Sequence, residues 1–257
     1  MTHTWDPDRY LTYADERGRP FVELLARVGA IAPETVVDLG CGPGNLTSLL
    51  GERWPEAHVT GIDSSREMIE RARVADSGIA FEVADLRTWV TTAGQVDVLV
   101  SNATLQWVPD HLDLLPGLVS RVSDGGWLAF QVPANFAEPS HVIRTELAAE
   151  ARYAEHTRDV AVPSSHDPAV YLEALASLGC EVDVWETTYL HVLTGPDPVF
   201  TWVSGTGARP TLQALPGDLR GAFEEEFRQR LRAAYPERGG RVVLPFRRIF
   251  AVARVTP

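Results

Sequence analysis

Apolar and polar positions along the chain switch repeatedly between two periods. Thr35 to Leu39 is a mostly apolar run without polar alternation, as expected for a strand buried on both faces of a parallel sheet. Helical spacing follows over 45–53, and the exchange then repeats. Strands are predicted at 58–62, 79–83, 96–101 and 126–132, with helices at 65–75 and 111–122. This βα rhythm predicts an α/β fold built on a doubly wound, Rossmann-like, mostly parallel sheet. Ahead of it, residues 1–30 read as an N-terminal helical lid. Tyr10, Leu11, Tyr13 and Ala14 share one helix face, and Pro20 suits the first turn of a second helix carrying Phe21, Leu24, Leu25 and Val28. After Pro133 the rhythm changes. Helices are expected at 142–153 and 168–178, a strand at 181–193, a helical insertion at 194–240 and a last strand at 242–254. Two closing strands around a long insertion predict a C-terminal antiparallel strand completing the sheet. No linker or repeat divides the chain. The expectation is therefore one domain over 1–257: lid 1–30, ligand-binding core 31–133, helical segment 134–180, insertion 194–240 contributing to the substrate pocket, and final strand within 241–257.

The densest chemistry lies at the end of the first strand, Asp38-Leu39-Gly40-Cys41-Gly42-Pro43-Gly44-Asn45. Glycines there let the backbone turn sharply and let a ligand approach with no Cβ in the way. The third glycine comes one residue too early for a dinucleotide fingerprint. Asp38 precedes the glycines, where it suits a cationic ligand group rather than a pyrophosphate. Asp63 ends the second strand 23 residues beyond Gly40, positioned to accept from both hydroxyls of a ribose. Asp85, after the third strand, can accept from an adenine amino group, and Asn102-Ala103 ends the fourth. A small polarizable side chain at Cys41 fits a place beside the ligand better than a reactive thiol does.

The D-x-G-x-G-x-G order resembles the first motif of class I methyltransferases that use S-adenosyl-L-methionine (SAM). Further stretches resemble the trans-aconitate methyltransferase family: Trp5-Asp6-Pro7 with Tyr10, Glu16 to Pro20, Thr60 to Ser65, Ser101 to His111, Gln131 to Asn135, Gly179 to Trp185, Tyr189-Leu190-His191, Trp202-Val203, Thr206 to Pro210 and Arg248-Ile249-Phe250. The likeness spans essentially the whole chain, and the Leu105-Gln106-Trp107 and Tyr-x-His to Arg-Pro blocks are its most selective parts. Arg247 departs from it, standing where a non-basic residue is expected.

The resemblance implies a SAM-dependent enzyme that esterifies one carboxylate of an unsaturated tricarboxylic acid. It implies a cofactor set of Tyr13, Arg19, Asp38, Gly40, Cys41, Gly42, Gly44, Asn45, Asp63, Ser64, Met68, Ala84, Asp85, Leu86, Asn102 and Ala103. For the acceptor it implies Arg17, Gln106, Trp107, Gln131, Asn135, His141, Tyr189, His191, Trp202 and Arg209. Arg209, in a loop of the insertion, is the leading substrate anchor, because arginine offers a carboxylate a bidentate fork. Arg144 belongs to the same stretch as Asn135 and His141. No general base is expected, since a carboxylate is already ionised at neutral pH. Bland roles compete throughout: His191 as a satisfied structural histidine, Trp107 as packing, Arg17 and Arg19 as helix surface, Glu224-Glu225-Glu226 as a solvated face.

Composition narrows the alternatives. The chain is 45% hydrophobic over 257 residues, enough for a sizeable core. No apolar run approaches the roughly 20 residues of a membrane span, and the N-terminus lacks a secretory pattern, so a cytoplasmic address is expected. All 23 basic residues are arginine, which excludes a P-loop lysine, a lysine Schiff base and a lysine nucleophile. A net charge of −12 argues against nucleic acid and obliges any anionic substrate to rely on local arginines. No metal-ligand spacing is present. The expected partner is a small polycarboxylate, and the protein a monomer or weak dimer. The rivals are an enzyme esterifying a malonyl group on a carrier protein, a nicotinamide-dependent oxidoreductase, and a non-catalytic SAM-binding sensor.

Overall fold

The computed structural model describes residues 14–75, 78–92 and 94–256, with the backbone alone over 14–17. Among the described residues, seven strands form one sheet in the order β3-β2-β1-β4-β5-β7-β6. They are β1 Thr35–Leu39, β2 His58–Asp63, β3 Ala80–Val83, β4 Val96–Asn102, β5 Val122–Pro133, β6 Cys180–Leu193 and β7 Val242–Val255. The ladders β1–β2, β1–β4, β2–β3 and β4–β5 are parallel, and the C-terminal strands are antiparallel. β1 is enclosed between neighbours, with Val36, Val37 and Leu39 buried, which is why it reads as a continuous apolar run. The strand order reverses between β1 and β4, and an open α/β sheet binds ligands at the carboxyl ends of its strands at such a switch.

The described residues divide into two compact units. The sheet unit comprises the described residues of 14–132, 165–187 and 249–256; the helical unit comprises 133–164 and 188–248. In the helical unit, helices Pro139–Ala148, Ala151–Thr157, Pro198–Ser204, Arg209–Ala214 and Gly217–Ala234 bury an aromatic core. Tyr153 meets Phe223 edge-on at 5.1 Å, and Phe200 meets Phe227 at 6.0 Å. The Glu224 to Glu226 run is ion-paired surface, in which Glu224 binds Arg220 and Arg228 while Glu226 binds Arg152 and Arg230.

Several element boundaries differ from the sequence expectation. Pro20 does not start a second helix; it lies inside one helix, Ala14–Leu25. Phe21, Leu24, Leu25 and Val28 are buried as expected. The helix expected at 45–53 begins at Ser48, and the one expected at 111–122 is a 3-10 turn, His111–Leu114, followed by a helix Leu115–Ser120. β5 begins at Val122 rather than 126, because Ser123 to Gly126 stays in the strand across a register irregularity opposite Val96 to Val98. Residues 142–153 are two helices, with Glu150 in extended conformation between them. Trp5, Tyr10 and Tyr13 lie outside the described residues, as does the Arg17 side chain.

Candidate active site

The sheet unit gathers the glycine turn, Asp63 and the end of β4 around the switch point. Gly40, Gly42 and Gly44 all have positive φ, at 85°, 57° and 79°. A Cβ on Gly40 would collide with Thr104, and one on Gly44 would come within 2.8 Å of Phe81. A Cβ on Gly42 would meet nothing within 4 Å. Two of the glycines therefore serve packing, and the middle one faces open space where a ligand can approach the backbone.

Acidic groups hold the turn. Asp63 accepts from the Gly42 amide (2.9 Å) through one oxygen and from the Ser65 amide (2.8 Å) through the other. Burial raises the Asp63 pKa, against the lowering effect of those two amides. Asp38 is only 2% exposed and accepts from Thr47 Oγ1 at 2.7 Å. Burial pushes its pKa up to about 7, the Thr47 hydrogen bond opposing this and the Asp63 charge adding to it. Among the described residues this acid has no positive partner, and a cationic ligand group would supply one.

At the end of β4, Ala103 takes φ 54°, a conformation an alanine seldom adopts, and its amide donates to the Gln131 carbonyl at 3.0 Å. Gln106 Nε2 donates back to the Ala103 carbonyl at 2.6 Å. Among the described residues, Gln106 Oε1 and Asn102 Oδ1 are buried without a hydrogen-bond partner, two acceptors available to ligand donors. Open backbone at Gly42, buried acids and orphaned acceptors together suit SAM, whose amine and sulfonium are positive and whose ribose and adenine are donors.

Other sequence-predicted cofactor residues sort differently. The Cys41 side chain is buried and packs with Ile69, Ala72 and Phe81. Burial and then the neighbouring carboxylates push its thiol pKa up, so this small side chain serves packing. Asp85 caps the helix Leu86–Trp89, accepting from the Arg87 and Thr88 amides, a role the sequence reading did not include. Met68 and Leu86 are buried, Asn45 and Ala84 half-buried, Ser64 exposed, and Arg19 pairs with Glu23 at 2.7 Å. Sequence reasoning missed Thr47 and Thr104. A threonine nine residues past Asp38 and another opposite Gly40 carry no signal before the fold is known.

The predicted acceptor residues divide between the units. Gln106, Trp107 and Gln131 lie in the sheet unit; Asn135, His141, Tyr189, His191, Trp202 and Arg209 lie in the helical unit. There His191 stacks on Trp202 at 4.4 Å and on Tyr189 at 6.3 Å, with Phe246 edge-on to His191 at 5.8 Å. Arg248 sits over Phe246 at 4.6 Å. Arg209 opens the helix Arg209–Ala214 and is half-buried. His141 is edge-on to Phe136 at 5.1 Å, and its pKa is lowered to about 4 by burial and by Arg144.

Known proteins agree with this architecture. A family model described as a methyltransferase domain matches residues 10–183. The chain is 52% identical over 260 residues to trans-aconitate 2-methyltransferase of Streptomyces avermitilis, covering 97% of this chain and 96% of that one. It is 50% identical to the enzyme of the same name from Rhodococcus jostii, covering 98% and 99%. The chain belongs to the trans-aconitate 2-methyltransferase family. The geranyl diphosphate C-methyltransferase of Streptomyces coelicolor shares the fold, with a TM-score of 0.53 at 17% identity, covering 96% of this chain and 82% of that one. The protein is a SAM-dependent methyltransferase. No helix among the described residues is long and apolar enough to cross a membrane.

Proposed function

We propose that the protein transfers the methyl group of SAM to one carboxylate of trans-aconitate, giving a monomethyl ester and S-adenosylhomocysteine. The observation that carries this reading is the identity, over nearly the whole chain, with enzymes of that name. The chemistry of the side chains agrees with it. When bound, SAM supplies a sulfonium-activated methyl electrophile. Asp38 would meet its positive charge, Asp63 would accept from the ribose hydroxyls, and Asn102 Oδ1 and Gln106 Oε1 would accept from donors on the cofactor. No residue has to remove a proton, because the attacking carboxylate is ionised at neutral pH. The protein's task is alignment and exclusion of water, and alignment alone can be worth roughly 7–11 kcal/mol of barrier. Arg209 and His191 hold carboxylates that do not react, and the Tyr189, His191, Trp202 and Phe246 rings keep water away.

The same reading places the protein in the cytoplasm as a monomer or weak dimer, with no nucleic-acid or membrane partner. The test is to incubate purified protein with SAM and a panel of small polycarboxylates and identify products by mass. A trans-aconitate monomethyl ester as the main product is expected. Esterification of other acids with none of trans-aconitate would refute the reading.

A further inference from the structure

The helical unit buries a cation that it does not neutralise. Arg144, in the helix Pro139–Ala148, is 4% exposed. Its Nη1 donates to Thr211 Oγ1 at 3.1 Å and its Nη2 to Thr145 Oγ1 at 3.4 Å, while its Nε is buried without a partner. Among the described residues, no carboxylate lies within ion-pair distance of it. Burial alone lowers its pKa, and a guanidinium stays protonated regardless. Its neighbours in the unit behave oppositely. Arg152 and Arg230 reach Glu150 and Glu226, Arg228 reaches Glu224, and Arg232 grips Asp197 with two hydrogen bonds. Those exposed or half-buried arginines, which need a counter-charge least, have one. Arg144, buried and in greater need of one, has two hydroxyls.

A second observation points the same way. His141 lies one turn before Arg144 on the same helix face, and the 206–208 turn closes over it. A Cβ on Gly207 would stand 2.9 Å from His141 Cε1. Burial and the Arg144 charge keep the imidazole neutral, so it does not add to the charge beside the guanidinium but can still donate one hydrogen bond. A neutral donor beside an unneutralised fork is an anion-binding arrangement.

We propose that Arg144 binds a carboxylate of the acceptor, the counter-charge the chain itself omits, and thereby sets a preference for polycarboxylates. This inference rests on the proposed acceptor and adds a specificity-determining residue to it. The test uses Arg144→Met, which keeps an unbranched stem and removes the guanidinium and its charge, and Arg144→Lys. Tricarballylate, a saturated tricarboxylate, is titrated into each protein saturated with S-adenosylhomocysteine, which has no methyl group to transfer, and melting temperatures are taken without acceptor. The expected result is a loss of tricarballylate affinity on the order of 30-fold or more in Arg144→Met. Arg144→Lys recovers little of it, since an ammonium has no fork. Affinity for S-adenosylhomocysteine stays within twofold, and the melting temperature of Arg144→Met is equal to or above that of the wild type. Tricarballylate affinity within threefold of wild type overturns the proposal. So does a lower melting temperature that lysine restores, which marks a structural role. Should Arg144→Met not fold, Arg144→Lys is judged by the same affinity criterion. Should the wild-type protein bind no tricarboxylate, the proposed acceptor fails, and citrate, succinate and inorganic phosphate are then compared by thermal shift. Stabilisation by one of them that Arg144→Met loses supports the anion site; stabilisation by none overturns it.

Discussion

Replacing Asp38 with asparagine should stabilise the ligand-free protein at alkaline pH while weakening its hold on SAM. The folded-state pKa of Asp38 is about 7, against 3.8 for an ordinary aspartate. The folded protein therefore binds more protons than the unfolded chain between those values, and stability falls as pH rises through that window. At about 1.4 kcal/mol per pH unit, the interval corresponds to about 4 kcal/mol lost by pH 8. Asparagine preserves the shape, can still accept from Thr47, and removes the titration. Its amide group must be buried in exchange, at a cost of about 1–2 kcal/mol. The net gain at pH 8 is about 2–3 kcal/mol, or roughly 5–10 °C in melting temperature for a chain of this size, and it should vanish below about pH 5. SAM affinity should fall by on the order of 30-fold or more, because the ligand's positive charge loses its carboxylate. Thermal unfolding of both proteins from pH 4 to 9, with calorimetric titration of SAM at pH 8, checks both halves. A stability difference that does not change with pH would refute the account of Asp38, and undiminished SAM affinity would remove it from the cofactor site.

Gly42→Ala should leave a folded protein with poor SAM binding, at a backbone cost of about 1 kcal/mol, whereas Gly40→Ala should lower the melting temperature by far more through its collision with Thr104; unfolding curves and SAM titrations separate the two. The turnover rate with trans-aconitate should be nearly flat from about pH 6.5 to 9, as no base titrates in the step. The SAM specificity constant should fall below pH 7, where Asp38 must lose a proton before a cation can bind; a rate profile rising tenfold per pH unit across the alkaline range would point to a hydroxyl or amine acceptor. Arg209→Ala should raise the acceptor's KM tenfold or more with SAM affinity unchanged, and steady-state kinetics at saturating SAM would dismiss Arg209 as an anchor if KM moved less than twofold.

The parallel core was legible because burial on both faces leaves its mark in composition. β1 spans the residues expected, and β4 and β6 each fall within a residue of expectation at either end. What escaped depends on contacts distant in sequence. Ser123-Asp124-Gly125 fall between a predicted helix and a predicted strand, yet they belong to β5. Asp85 also starts the helix Leu86–Trp89, where its Oδ1 accepts from the Arg87 and Thr88 amides, a capping role that shows only once the helix is known. Cys41 sits in the motif by sequence, and its packing with Ile69, Ala72 and Phe81 shows only in the fold. Arg144 could be located as a residue type but not weighted, since no local pattern says that a guanidinium is buried or that its neighbours lack acid.

The buried charges of the two units match the two halves of the proposed reaction. In the sheet unit burial raises the pKa values of two carboxylates, Asp38 and Asp63. Burial also lowers the pKa of its Arg121, whose Nη1 is bonded to the Thr92 and Gly94 carbonyls. In the helical unit burial lowers the pKa of Arg144, which is bonded to two hydroxyls. A positively charged donor and a multiply charged anionic acceptor are what such groups would relieve. A chain of net charge −12 repels a tricarboxylate at long range, but that field is screened within about 8–10 Å at ordinary ionic strength. A buried guanidinium acts below that distance in a less polar medium, where one unneutralised charge outweighs many exposed ones. Selection of the acceptor should therefore respond weakly to salt and strongly to the loss of a single arginine.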